Sequence, residues 1–375
     1  MTLTEIRLDI SHFACIICGV GRDLIRNLFI VFIALCVLLI GCEYQKVINV
    51  IDDTRVPEQS RVLNVGFYDA FSPVSYSLVH THLGYEADLL TALEVMETPN
   101  LSFTREPISQ WENIWLLAAT SDYDIIGGGI TILEDRTKDA TGTQLVAFTT
   151  PHIVFRQSLL VRAEDAGRIQ NYTDLTRDIR VGVLRGTTGE ARLLQITGIV
   201  DANGVVAAGT RIDTSTGTVV ADGTANYKIT AAGSTPNIES RFTLYPPADN
   251  MPQVNYPVNM PHQGFDPLIH RVAIALTEEQ VLLGNLQENR IDALARGEIG
   301  NRDAAAASAG AFVVTALDKQ VEYGGFTVAR ENTELLEFLN KRINYLTNNG
   351  NIGYAQWVVD NGVFMKRAQA LKSDN

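Results

Sequence analysis

The chain has 375 residues, enough for two or three structural units, and its 46% hydrophobic and 19% charged content supports a buried core rather than disorder. A formal net charge of −13 opposes nucleic-acid binding, which needs cations to meet phosphates, and no basic tract is present for anionic lipid. All four cysteines (Cys15, Cys18, Cys36 and Cys42) precede residue 43, so the body holds neither a disulfide framework nor a thiolate metal site.

At the N-terminal end, Arg22 and Arg26 precede an unbroken apolar run from Leu28 to Ile40, followed by Gly41, Cys42 and polar Glu43. The run is shorter than the roughly 20 residues that a spanning helix needs. A basic segment, a short apolar core and small residues at its end describe a signal peptide. Leu39-Ile40-Gly41-Cys42 resembles the bacterial lipobox, which implies cleavage before Cys42 and lipidation of its sulfur. Residues 1–41 are therefore expected to be the signal, with 1–21 an upstream extension, and residues 42–60 a lipidated tether. An uncleaved anchor or a buried helix is the alternative. Cys15 and Cys18 form a C-x-x-C upstream of this segment, but no second pair accompanies them.

From Arg61 strand and helix patterns alternate. Arg61–Phe67 reads as a strand, Glu86–Glu97 has helical spacing of Leu89, Leu90, Leu93 and Met96, and Leu101–Pro107 alternates again. Trp111–Ala119 reads as a short helix, and Tyr123–Ile126 as a buried strand leading into Gly127-Gly128-Gly129. Such alternation predicts parallel sheets with helices on their faces. A second unit opens near Gln157, with strands at Ser158–Val161 and Arg180–Leu184. Thr187 and Glu190 have capping-box spacing, as do Thr277 and Gln280 before the helix Val281–Leu286; Ile291–Ala295 is the next strand. Residues 198–235 are rich in Gly, Thr, Val and Ala, with turn pairs Asn203-Gly204 and Asp222-Gly223, and read as an insertion of β-hairpins. Residues 246–270 carry six prolines and read as loop. Leu335, Leu339, Ile343 and Leu346 form one helical stripe ended by Asn348-Asn349-Gly350, and Tyr354–Val359 begins a last short helix.

The order of these pieces resembles the amino-acid-binding branch of the bacterial extracellular solute-binding proteins. The matching segments are RVLNVGFYDAFSPVSY, GYEADLLTAL, DYDIIGGGITILEDR, FTTPHIVFRQSLLV, VGVLRGTTGE, NRIDAL and TELLEFLNKRINYLTNNGNIGYAQW. The resemblance implies an α/β, two-lobed periplasmic-binding-protein type II fold with a β-hairpin-rich insertion in the second lobe. Lobe 1 is expected at 61–155 plus 299–375, and lobe 2 at 156–298, containing the insertion at about 198–270. It further implies a monomer that captures a small carboxylate for a membrane transporter of the ABC type, without cofactor, metal or catalytic residue.

A zwitterion needs both charges matched by buried partners. Arg136 offers a planar fork for a carboxylate; a surface arginine paired with Glu134 or Asp135 is the alternative. The resemblance adds Gly129 and Thr131 around the ligand, and Thr188 opposite Arg136. Thr187 and Thr188 also sit at a predicted helix start, where free N–H groups suit an anion. The family's acid for the ammonium would fall close to Gly297; Glu298 is the candidate, with Asp303 behind it. Phe71, Trp111 and Tyr76 are the candidate aromatics, Tyr76 compensating for Val74. His80 and His82 form H-x-H with no third ligand in view, His152 falls at the lobe crossover, and the triglycine lacks both the P-loop lysine and dinucleotide spacing. Two other functions compete: an enzyme on the same fold, such as a cyclohexadienyl dehydratase-like one, and a surface lipoprotein that binds a macromolecule through its insertion.

Overall fold

The computed structural model describes residues 61–257 and 276–373. The export segment, Cys42, the C-x-x-C and the end of the proline-rich loop lie outside the described residues. Residues from Ser60 onward form one compact unit built on two sheets.

The first sheet has the order Leu101–Ile108, Arg61–Tyr68, Ile125–Gly127, Thr327–Ala329, Val146–Phe148. Its first three strands are parallel; the last two add antiparallel. Helix α1 (Tyr85–Glu97) covers it with the expected face, burying Leu89, Leu90, Leu93 and Met96. The second sheet has the order Gly217–Val220, Arg211–Thr214, Arg241–Tyr245, Gln253–Asn255, Arg180–Gly182, Ala293–Gly297, Gln157–Arg162, Phe312–Leu317. Helix α2 (Thr188–Ile196) packs on its centre and α3 (Glu278–Gln287) beside it, the latter opened by a complete Thr277–Gln280 capping box.

The chain crosses between sheets twice. Ile153–Phe155 leads outward and Glu322–Gly324 leads back, and the two pair antiparallel as a ribbon. This return comes later than residue 299, where the sequence reading places it. Phe312–Leu317 pairs with Gln157–Arg162 as an edge of the second sheet, and α4 (Glu298–Ala307) packs on those two strands, so residues 299–317 belong to the second lobe.

The insertion is not a separate hairpin module. Its strands Arg211–Thr214, Gly217–Val220 and Arg241–Tyr245 extend the second sheet through Gln253–Asn255. A buried ion pair fastens it: Arg241 meets Glu190 of α2 at 2.5 Å, and Tyr256 donates to the same carboxylate at 2.6 Å. Glu190 thus spends its carboxylate here and on the Gly186 N–H, so the Thr187–Glu190 capping box is half formed: Thr187 caps, Glu190 does not reciprocate.

Helix α5 (Thr333–Leu346) buries Leu335, Leu339, Ile343 and Leu346 as its spacing requires, and Asn348, Asn349 and Gly350 at positive φ end it. Beyond α6 (Tyr354–Val359) the sequence reading misses α7 (Val363–Ser373), which buries Phe364 and Ala368 and packs on α1. The Trp111–Ala119 segment is helical only over Ile114–Ala119, as a 3-10 turn. Among the described residues no helix is long and apolar enough to cross a membrane.

Removing Arg241 leaves the buried Glu190 charge without its partner. Arg241→Ala is expected to cost roughly 3–5 kcal/mol, read as a lower urea midpoint; a change below about 1 kcal/mol would show that the insertion is not fastened this way.

Candidate functional site

A cavity of about 50 Å³ lies where the two sheets meet the crossover ribbon. Tyr68, Phe71, Trp111, Gly129 and Thr131 line it from the first lobe, and Phe155 from the ribbon. Gln157, Leu184, Thr187, Thr188, Gly189, Glu279 and Arg296 are among its second-lobe walls.

Close backbone approach shapes the first-lobe wall. Gly129 has φ +69°, and a Cβ there would lie 2.7 Å from the Phe71 ring. Its N–H and that of Gly128 donate to the buried Glu86 carboxylate, at 3.0 and 2.6 Å, and His152 Nε2 meets the same group at 2.9 Å. His152 is therefore a packed hinge residue, tilted against Phe326 and carrying the Tyr85 hydroxyl on its carbonyl.

On the facing wall Thr187 caps α2. Its Oγ1 accepts from the Glu190 N–H at 3.2 Å and donates to the Leu184 carbonyl. Thr188 Oγ1 lies 3.3 Å from Thr131 Oγ1, so the two candidate hydroxyls meet across the lobes. The helix start brings its unpaired N–H groups to the same place.

Arg136 lies one layer behind that meeting point and is fully buried. Its Nη1 donates to the Thr131 carbonyl at 3.2 Å, Nη2 to the Gly186 carbonyl at 2.9 Å and Nε to the Ala231 carbonyl at 2.9 Å. The guanidinium carbon sits 4.4 Å from the Trp115 ring and 5.5 Å from that of Trp111. Among the described residues no carboxylate forms an ion pair with it; Glu134 pairs with Lys138 instead. Burial pulls its pKa down to about 9, while the charge of Glu322 works the other way. The surface-pair alternative is thus excluded, although the side chain backs the cavity rather than lining it.

Besides Arg136, two expected residues, Glu298 and Tyr76, do not reach the cavity, and neither does the alternative acid Asp303. Glu298 is the first residue of α4, pairs with Arg302 at 3.7 Å and borders a separate surface groove with Tyr354. The strand Ala293–Gly297 brings Arg296 and Gly297 to the cavity wall and ends there, and Glu298 opens the helix that leads the chain away. Tyr76 stands on Ser75–Leu78, opposite Ala70 and Leu83, away from the cavity walls. Asp303 accepts from Ser72 instead, at 3.0 Å.

The sequence reading misses Gln157, Glu279 and Arg296. Glu279 is buried and binds Arg296 at 3.1 Å; Arg296 is also held by the Asn301 side chain and the Gly300 carbonyl. Burial raises Glu279 to about 7, Arg296 opposes, and Asp69 and Glu278 add to the rise. In sequence Glu279 looks like a first-turn helix acid, and no local signal separates it from Glu278. Among the described residues no group of three or more His, Cys, Asp or Glu is placed to hold a metal. The H-x-H pair splits: His82 is buried, stacked on Phe67 at 3.7 Å and pushed down to about 3 by burial, whereas His80 is exposed.

Residues 63–359 match the model of the bacterial extracellular solute-binding proteins, family 3. The chain belongs to this family. A probable histidine-binding protein of Neisseria gonorrhoeae is 26% identical over 115 residues, 31% of this chain and 39% of that protein's length. Among solved structures, the amino acid ABC transporter substrate-binding protein AbpA of Streptococcus pneumoniae, bound to L-arginine, aligns with a TM-score of 0.50 at 14% identity. It covers 83% of this chain and 95% of AbpA, and places the chain in the same two-lobed fold. The holo arginine-binding protein ArgBP of T. maritima aligns at 0.49 with 19% identity, over 76% of this chain and 90% of that one.

Ionisation of Glu279 opposes folding, because the unfolded chain releases this proton near the ordinary 4.5 and the native state only near 7. The stability it contributes is full below the lower value and is lost as pH rises through the higher, by at most roughly 3 kcal/mol. Glu279→Gln, which cannot ionise, is expected to flatten that fall in urea unfolding at pH 5 and pH 8; an unchanged slope would assign the pH dependence elsewhere.

Proposed function

We propose that this family member captures an amino acid outside the cytoplasm and hands it, unaltered, to a membrane transporter of the ABC type. The observation that carries this reading is the buried Arg136 guanidinium, satisfied only by carbonyl oxygens at the meeting of the lobes. Two of those oxygens, from Gly186 and Ala231, belong to the second lobe. When the lobes part, the guanidinium loses both and exposes donors that a carboxylate can take bidentately. Thr188 and the start of α2 then close on the same anion from the other side, so one ligand group bridges the lobes and favours the closed form. Phe71, Trp111 and Tyr68 supply an apolar wall for the ligand side chain. A relative named as a probable histidine-binding protein and a structural neighbour bound to L-arginine support the same reading.

The cavity is walled by both lobes, so they part for the ligand to load. Nothing in this cycle needs a bond to break. An enzyme on the same fold has one observation in its favour, the buried Glu279 with a pKa near neutrality. Arg296 already occupies that carboxylate, which supports binding rather than proton transfer.

The test is a thermal shift of the full chain against L-amino acids. At about 100 times Kd a ligand stabilises by about 2.7 kcal/mol. At least one amino acid is expected to raise Tm; Arg136→Ala should abolish that shift and Arg136→Lys reduce it. A wild type indifferent to every amino acid would remove the proposal, and consumption of a prephenate-like substrate would replace it with the enzyme. The same proposal tethers the protein through Cys42. Cys42→Ser should abolish incorporation of labelled palmitate in cells and release the protein from the membrane fraction; labelling that survives would place the anchor elsewhere.

A further inference from the structure

The expected acid for the ligand's ammonium does not reach the cavity. Gly297 has no side chain to offer, Glu298 faces away and Glu279 is held by Arg296. One further acid stands beside the site. Glu322 lies on the return strand of the crossover ribbon, 4% exposed. Its Oε2 accepts from Thr131 Oγ1 at 3.0 Å and from Gln157 Nε2 at 3.1 Å, and Gln157 Nε2 also donates to Thr188 Oγ1 at 2.9 Å.

Two acceptors in this cluster are buried and have no partner among the described residues: Glu322 Oε1 and Gln157 Oε1. Gln157 is 2% exposed and lines the cavity. Its free oxygen lies in the cavity wall beside Gly189, where a built Cβ would come within 3.1 Å of it. Glu322 is also a carboxylate without a cation. Arg136 and Arg192 feel its charge, but the first is bound to carbonyls and the second to Asp318 at 2.6 Å. Buried acceptors left without donors are rare in folded proteins and call for an explanation. An ammonium supplies both what is missing, N–H donors and a positive charge.

We propose that Gln157 and Glu322 form the receptor for the ligand's cationic nitrogen. Gln157 Oε1 accepts a hydrogen bond from it. Glu322 balances its charge from behind, through the contacts with Gln157 and Thr131. The carboxylate end of the ligand meets Thr188 and the start of α2, with the Arg136 charge behind them, so both charges of a zwitterion are read within one buried network. Because Glu322 sits on the ribbon that joins the lobes, the nitrogen is sensed at the hinge. This inference rests on the proposed function and extends it to the residues that distinguish an amino acid from a plain carboxylate.

The test uses titration calorimetry of the full chain with L-arginine, L-histidine and their des-amino analogues, 5-guanidinopentanoate and imidazolepropionate. Glu322→Gln and Gln157→Leu are each expected to weaken the amino acid that binds by at least about ten-fold while leaving its des-amino analogue within about two-fold. Urea unfolding identifies a variant that fails to fold, and the other variant then decides. Equal losses for amino acid and analogue would assign the pair a structural role only, and no loss for either would also overturn the inference while leaving the proposed function standing. A wild type that binds none of the four probes would overturn this inference, and the thermal-shift screen against the other amino acids would then decide the proposed function.

Discussion

A guanidinium shut away from water must be satisfied by whatever the fold brings to it, and in this protein three separate segments are bent to Arg136. Thr131 presents its carbonyl from the segment that follows the first-lobe strand Ile125–Gly127, Gly186 from the turn before α2, and Ala231 from a hairpin of the insertion. Two indole rings cover its remaining surface. A charge held dry by neutral oxygens is costly, which the lowered pKa reflects. Two of its three carbonyl partners, on Gly186 and Ala231, come from the second lobe, so this one side chain joins the lobes.

The rest of the site follows from that constraint. Thr188 can face Thr131 only because Gly186 is drawn onto Arg136, which sets the start of α2 against the first lobe. Trp111 serves both sides, stacking on the guanidinium and donating its N–H to the Gly186 carbonyl at 3.0 Å. The insertion is joined to the same centre twice, by Ala231 on Arg136 and by Arg241 on Glu190, so its strands stabilise the second lobe and complete the coordination of the buried cation. A separate macromolecule-binding module does not describe a segment woven into the sheet in this way.

Much of this was legible along the chain because its signals are local. Helical spacing marked α1 and α5, Thr187 and Thr277 marked helix starts, and Arg136 stood out within a quotable segment. The misreadings have physical causes. Glu298 follows the cavity-lining Gly297 by one residue, but the strand ends at Gly297 and the helix that starts at Glu298 carries its side chain to another groove. Tyr76 was chosen to replace an aromatic at Val74, but Val74 is fully buried core and its hairpin carries Tyr76 elsewhere. The edge strand Phe312–Leu317 has no marker of which sheet it joins, since pairing with Gln157–Arg162 is decided by partners some 150 residues away.

By itself the sequence determined most of the succession of strands and helices and the family, because these depend on patterns among neighbours in the chain. Only the tertiary structure decided where the acids point. Gln157 and Glu322 are 165 residues apart and touch because two crossing strands pair as a ribbon. Glu279 and Arg296 meet because a helix and the strand after it converge on one cavity. Charge is written in the sequence, but burial and the approach of distant side chains, which govern what a charge can bind, exist only once the chain has folded.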